Sequence, residues 1–104
     1  MREYQIQSTD IYRVTAFEIV ADYTIRLQFN DGTEQIVDFE PILYGPIFGP
    51  LRDPALFKQV RLEENFGTLE WPNGADVVPS VLHDWPQHVD AIVERRKRQF
   101  ALPS

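Results

Sequence analysis

The chain has 104 residues, a formal net charge of −6, 43% hydrophobic, 25% charged and 12% aromatic residues, and no cysteine. That length supports one packed core, and the composition excludes the disordered, collagenous and disulfide-stapled classes. The lack of cysteine also removes thiolate metal sites and thiol nucleophiles and fits a reducing compartment. No apolar run nears the roughly 20 residues of a membrane span, and the opening residues hold no apolar signal core, so the expectation is a cytoplasmic protein without membrane association.

Residues 13–20 are rich in strand formers (Val14, Thr15, Phe17, Ile19, Val20), and Ala21-Asp22 makes a tight connection. Tyr23, Ile25, Leu27 and Phe29 then alternate with Thr24, Arg26 and Gln28, the period of a strand with one buried face. Asn30-Asp31-Gly32 closes a hairpin, because glycine adopts positive φ without steric cost, and residues 33–39 return as a third strand. Residues 41–54 contain four prolines and two glycines, which predicts an apolar loop without a regular element. Asp53 and Pro54 read as the N-cap and first position of a short helix with Leu56, Phe57 and Val60 on one face. Short strands are predicted over 60–63, 67–71 and 75–78, around turns at Glu64-Asn65 and Pro72-Asn73-Gly74.

Pro79 opens a second short helix with Ser80 as its cap and His83 at its solvent edge, and Pro86 marks a break or a fresh first turn. The last helix carries Val89, Ile92 and Val93 on one stripe, but the next position is Arg96, so its final turns are predicted to run into solvent. The fold class is therefore α+β: a three-stranded antiparallel meander, a short helix, further short strands with a hairpin, and a C-terminal helix. Residues 1–104 read as a single domain, with a core over 12–82 and a helical extension over 86–104. Residues 1–93 hold 6 Lys/Arg against 15 Asp/Glu, a balance of −9, and residues 94–104 hold 4 against 1, a balance of +3. An acidic body repels phosphates, so nucleic-acid contact would rest on Arg95, Arg96, Lys97 and Arg98 alone.

Candidate chemistry is sparse. Ser80 and His83, three residues apart, could serve as nucleophile and base with Asp76 or Asp84 orienting the histidine, yet no Gly-x-Ser-x-Gly elbow surrounds the serine. His83, His88, Asp84 and Asp90 lack ligand spacing on one helix face, so no metal is expected. The Gly45-Pro46-Ile47-Phe48-Gly49-Pro50 stretch lacks the successive N–H donors of a phosphate loop, and no cofactor is expected. In Trp71-Pro72-Asn73-Gly74-Ala75-Asp76, Pro72 fixes one φ, Asn73-Gly74 supplies a positive-φ corner and Asp76 can accept from turn amides. Two readings stand for Trp71, a structural corner or an exposed partner anchor. Two also stand for the apolar loop bearing Tyr44, Ile47, Phe48 and Leu51, either packing over the sheet or forming an interface.

Phe29-Asn30-Asp31-Gly32-Thr33, Val37-Asp38-Phe39, Gly45-Pro46-Ile47-Phe48, Leu51-Arg52-Asp53-Pro54 with Phe57, and Gly67-Thr68-Leu69-Glu70-Trp71-Pro72-Asn73-Gly74-Ala75-Asp76 resemble, in that order, the domain of unknown function 2442 family. The resemblance covers residues 12–82. It implies a small prokaryotic domain of meander, helix, hairpin and helix with no established activity and no catalytic residues to transfer. His83 stands where the family commonly has tyrosine, and the stretch over 86–104 is longer and more basic than the family's core pattern. Some relatives carry a helix-turn-helix domain after the core, which the residues here are too few to build. Members also resemble components of two-gene modules, which implies an accessory or antitoxin-like role.

The reading is a small protein-binding module, with a protein partner or a homodimer engaging Tyr44, Ile47, Phe48, Leu51 and Trp71, and Asp31, Gly32, Pro72, Asn73, Gly74 and Asp76 shaping the turns. The alternative is a minor enzyme or small-ligand binder centred on Ser80, His83 and Asp76.

Overall fold

The computed structural model describes residues 12–99. Strands β1 (Val14–Ala21), β2 (Thr24–Phe29) and β3 (Glu34–Asp38) form an antiparallel meander with β2 in the centre. Phe17 lies opposite Leu27, Ile19 opposite Ile25, and Val37 pairs with Ile25 from the other side, so the alternating apolar set of all three strands shares one face. The other face is exposed and mostly polar, with an Arg26–Glu18 ion pair and a Gln28–Glu34 hydrogen bond of 3.1 Å around the exposed Ile36. The β1–β2 turn places Tyr23 at φ 58°, where its carbonyl accepts from Phe39 N at 2.8 Å and its hydroxyl donates to the Arg52 carbonyl.

A second three-stranded antiparallel sheet follows: β4 (Arg61–Glu63), β5 (Thr68–Glu70) and β6 (Asp76–Val77), with Leu69 opposite both Leu62 and Val77. Two contacts tie the sheets together at the start of β1. Val14 N donates to the Gly67 carbonyl at 3.0 Å, and Arg13 Nη2 donates to the carbonyls of Glu64 and Asn65 at 2.9 Å each.

The segment predicted as an irregular loop is instead a run of short helical turns: a 3₁₀ turn over Glu40–Ile42, α1 (Gly45–Phe48), a 3₁₀ turn over Gly49–Arg52 and α2 (Pro54–Phe57). The prolines cause this rather than prevent it. Pro41, Pro46, Pro50 and Pro54 each fall in the first two positions of a turn, where the missing N–H has no intrahelical acceptor and a fixed φ near −65° is already helical. Their spacing of about one turn restarts the helix each time, so no turn lengthens. Asp53 caps α2 as predicted, its side chain accepting from Ala55 N at 3.0 Å.

Helix α3 (Pro79–His83) is capped by Val78 without a side-chain hydrogen bond, so Ser80 lies inside the first turn and does not cap it. Helix α4 (Trp85–Gln99) completes the order. The buried side chains form one cluster to which both sheets, α2, α3 and α4 contribute. At its centre Phe39 meets Phe57, Trp71 and Trp85 at ring-centroid separations of 5.8, 5.6 and 5.6 Å. No helix among the described residues is long and apolar enough to cross a membrane.

Candidate functional site

The Trp71 corner is a closed structural unit. Trp71 N donates to the Ala75 carbonyl at 2.9 Å, Gly74 N to the Trp71 carbonyl at 3.0 Å, and Gly74 takes φ 96°. The side-chain acceptor inside the turn is Asn73, whose Oδ1 receives Ala75 N at 3.2 Å, whereas Asp76 leads into β6. Asn73 also reaches across, its Nδ2 donating to the Ile47 carbonyl at 2.7 Å and thereby fixing α1 against the corner. Trp71 itself is 2% exposed and its Nε1 donates to the Phe57 carbonyl at 2.9 Å. It is a core side chain, not a surface anchor, because the corner turns the indole inward between Phe39, Phe48 and Phe57.

The loop residues separate in the same way. Leu51 is fully buried, while Tyr44 and Ile47 are 36% and 47% exposed and Phe48 is half-buried against Trp71. A 3₁₀ turn projects residues three apart on one side, so Leu51 follows Phe48 inward and Ile47 is left outside. The surface this loop offers is therefore Tyr44, Ile47 and the outer edge of Phe48.

Helix α4 meets that edge. Arg96 continues the Val89, Ile92, Val93 stripe, and its guanidinium lies 4.5 Å above the Phe48 ring while Nη1 donates to the Tyr44 carbonyl at 3.2 Å. The expectation that the last turns run free into solvent thus fails at Arg96: an arginine's stem and planar head can finish an apolar stripe. Burial and the neighbouring Arg95 charge both push the Arg96 pKa down. Arg95, Lys97 and Arg98 stay exposed, so the basic run is split between a docked cation and free ones.

Between α4 and the second sheet runs a groove of about 300 Å³, floored by Ile42, Phe48, Val77, Val81, Trp85 and Ile92, with His88, Arg95 and Arg96 on the helix side and Asp76 opposite. A hollow of about 290 Å³ continues it past Phe48, Asp76 and Arg96 to Ile47. A separate hollow of about 570 Å³ contains Ser80 and Asp76 together with exposed Phe66 and Val78, but not His83.

His83 points the other way, and its environment was not foreseen. It is not at a solvent edge: its side chain is 16% exposed, stacked on Tyr12 at 3.8 Å between ring centroids and edge-on to Phe29 at 5.0 Å. Nε2 stands 2.9 Å from Asp31 Oδ2 and 3.1 Å from Thr33 Oγ1, and Nδ1 stands 2.9 Å from Asp84 Oδ1. A carboxylate at each nitrogen favours the imidazolium, the form in which both nitrogens donate. Burial lowers the His83 pKa, but the hydrogen bonds and charges of Asp84 and Asp31 outweigh it, and the net shift is upward. Asp31 is held at about 2, chiefly by the hydroxyl and N–H of Thr33, which outweigh the upward push of burial; His83 adds smaller downward contributions. Ser80 and Asp76 take no part in these bonds, so the serine, histidine and Asp76 named as a candidate catalytic set do not come together. The hairpin glycine, Gly32 at φ 87°, presents Asp31 to this clasp.

The sequence offered half of the clasp, since Asp84 follows His83 directly and was named as a group that could orient it; Asp31 and Thr33, about fifty residues away, could not be read from spacing. Among the described residues no group of three or more His, Asp or Glu is placed to hold a metal.

The fold and groove define a small α+β domain of two antiparallel meanders bridged by proline-started turns and closed by a C-terminal helix. The chain belongs to the family described as "Protein of unknown function (DUF2442)", whose profile matches residues 14–87. No curated protein and no solved structure matches it.

Proposed function

We propose that this protein is a small protein-binding module whose docking face is the α4 groove with its extension to Ile47, and that it works as an accessory or antitoxin-like partner within a two-gene module. The observation that carries this reading is the groove itself: an apolar floor continuous with the exposed Ile47 and flanked by cationic side chains, in a chain whose remaining candidate nucleophile and base are kept apart. A contiguous apolar channel with a polar rim is the usual form of a surface that accepts another chain's side chains. The absence of cysteine fits a cytoplasmic setting. The binding residues are Tyr44, Ile47 and Phe48; Leu51 and Trp71 support them from beneath.

Photo-crosslinking in the native cells tests this. A benzophenone side chain at position 47 should trap one discrete adduct, and the same group at position 36, an exposed isoleucine on the far sheet, should trap none. Equal or no adducts from both positions would contradict the assignment of the face.

A further inference from the structure

Arg96 is buried at one point where it has no partner. Its Nη1 is bound to the Tyr44 carbonyl and its plane lies on Phe48, but Nε is shut off from water and makes no hydrogen bond. Buried donors are normally satisfied, and an orphan at the wall of a groove points to an acceptor supplied from outside. The charge is equally unanswered. Ion pairs among the described residues join Arg26 to Glu18, Arg52 to Glu40, Arg61 to Glu70 and His83 to Asp31 and Asp84, and none involves Arg95 or Arg96. Asp76 lines the groove without pairing to either arginine. The body is strongly acidic, so two adjacent cations with no ion pair among the described residues, beside an apolar channel, form a local reversal of sign.

We infer that the groove receives an apolar segment of a partner protein carrying a carboxylate, whose oxygens seat on the Arg96 guanidinium while a neighbouring aliphatic or aromatic side chain lies on the Ile42–Val81–Trp85 floor. The carboxylate meets the remaining Arg96 amino group first, and a turn of the guanidinium on the Phe48 ring uncovers Nε beside it, the side-by-side geometry that takes a carboxylate bidentately. Arg95 adds long-range attraction at the rim, and His88 a donor. Asp76, on the opposite wall, accepts a backbone N–H of the incoming segment and repels a second acidic residue there, which fixes where the carboxylate must stand. The exposed Ile47 extends the apolar contact beyond the guanidinium. This inference rests on the docking reading above and specifies its partner's chemistry.

The test is selection of a displayed library of random 12-residue peptides against the full chain, followed by affinity measurement of the enriched peptides on variants. The expected result is a motif with one Asp or Glu beside apolar residues, weakened about tenfold or more by Arg96→Gln, partly by Arg96→Lys, which keeps the charge and stem but not the fork, and hardly by Arg98→Gln. Unchanged circular dichroism of each variant establishes that the fold is intact. Peptides whose binding is lost in Ile47→Asp but which share no acidic position and ignore Arg96→Gln would overturn the carboxylate while leaving the docking face standing. No enrichment at all would overturn both. Sedimentation of the chain alone as a dimer that Arg96→Gln dissolves would assign the groove to a second copy and overturn the peptide.

Discussion

His83 shows how one side chain can join distant parts of the chain by charge. Its pKa is raised in the fold, so its contribution to stability is complete below the unfolded value of 6.5 and is lost as pH rises through the higher folded value. Asp31 is lowered from 3.8 to about 2, so its contribution is complete above 3.8 and is lost as pH falls toward 2. The clasp is strongest between those limits. Denaturant unfolding at a series of pH values should show stability declining above about pH 6.5, and His83→Gln should flatten that limb while costing about 1 kcal/mol at pH 6. An unchanged slope in the variant would remove His83 from the account. Gly67 is the steric counterpart. A Cβ there would stand 2.6 Å from Arg13 Cβ and 2.7 Å from Arg13 Cα and Val14 N, at φ 66°, where the two sheets meet. Gly67→Ala is expected to cost about 3 kcal/mol, and Gly74→Ala, also at positive φ but with nothing within 4 Å, about 1 kcal/mol. Equal costs in a thermal melt would show that the inter-sheet approach is not tight.

At the scale of elements, β2 was legible because Ile25, Leu27 and Phe29 alternate within it, and β1 and β3 were legible from their strand-forming residues and the glycine turn, whereas the register shift between Val14 and Ala16 leaves no local signal. The proline-rich segment was not legible, because proline is read as a helix breaker when counted and as a helix starter only when its position is known. Trp71 and Leu51 stood open between an inward and an outward reading, and Arg96 was expected in solvent, for a related reason. Whether an aromatic, a leucine or an arginine faces in or out of an irregular stretch depends on contacts with residues distant in sequence, here Phe57, Phe48 and Tyr44. Pro50→Ala should therefore cost less than about 1 kcal/mol, since it forfeits only the unfolded-chain entropy, while Asp53→Ala, which removes the cap of α2, should cost about 1 kcal/mol. A large loss from Pro50→Ala with none from Asp53→Ala, measured by urea unfolding, would invert this ranking.

Over the whole molecule, the sequence divides a core over 12–82 from an extension over 86–104, and the structure draws the start of that extension inward. Trp85 is buried beside Phe39, and Val89, Ile92 and Val93 pack on the same cluster. We therefore expect one cooperative unfolding transition, and truncation after residue 84 should lower stability by about 3–5 kcal/mol, the range for deleting a buried large aromatic side chain. A truncated chain that melts at the same temperature as the intact one would make α4 a true appendage. The same docking of α4 builds the groove, so stability and the proposed binding share a helix. The basic run at its end then serves two ends: Arg96 closes the core's edge, and its neighbours set the sign of the rim.

The most direct measurement is affinity capture of the tagged chain from its native cells at low and moderate salt, beside an Ile47→Asp variant of equal thermal stability. The account predicts one small protein held in stoichiometric amount by the unaltered chain at both salts and lost from the variant. Retention of nucleic acid alone, released at moderate salt, or of the same protein by both chains, would contradict it.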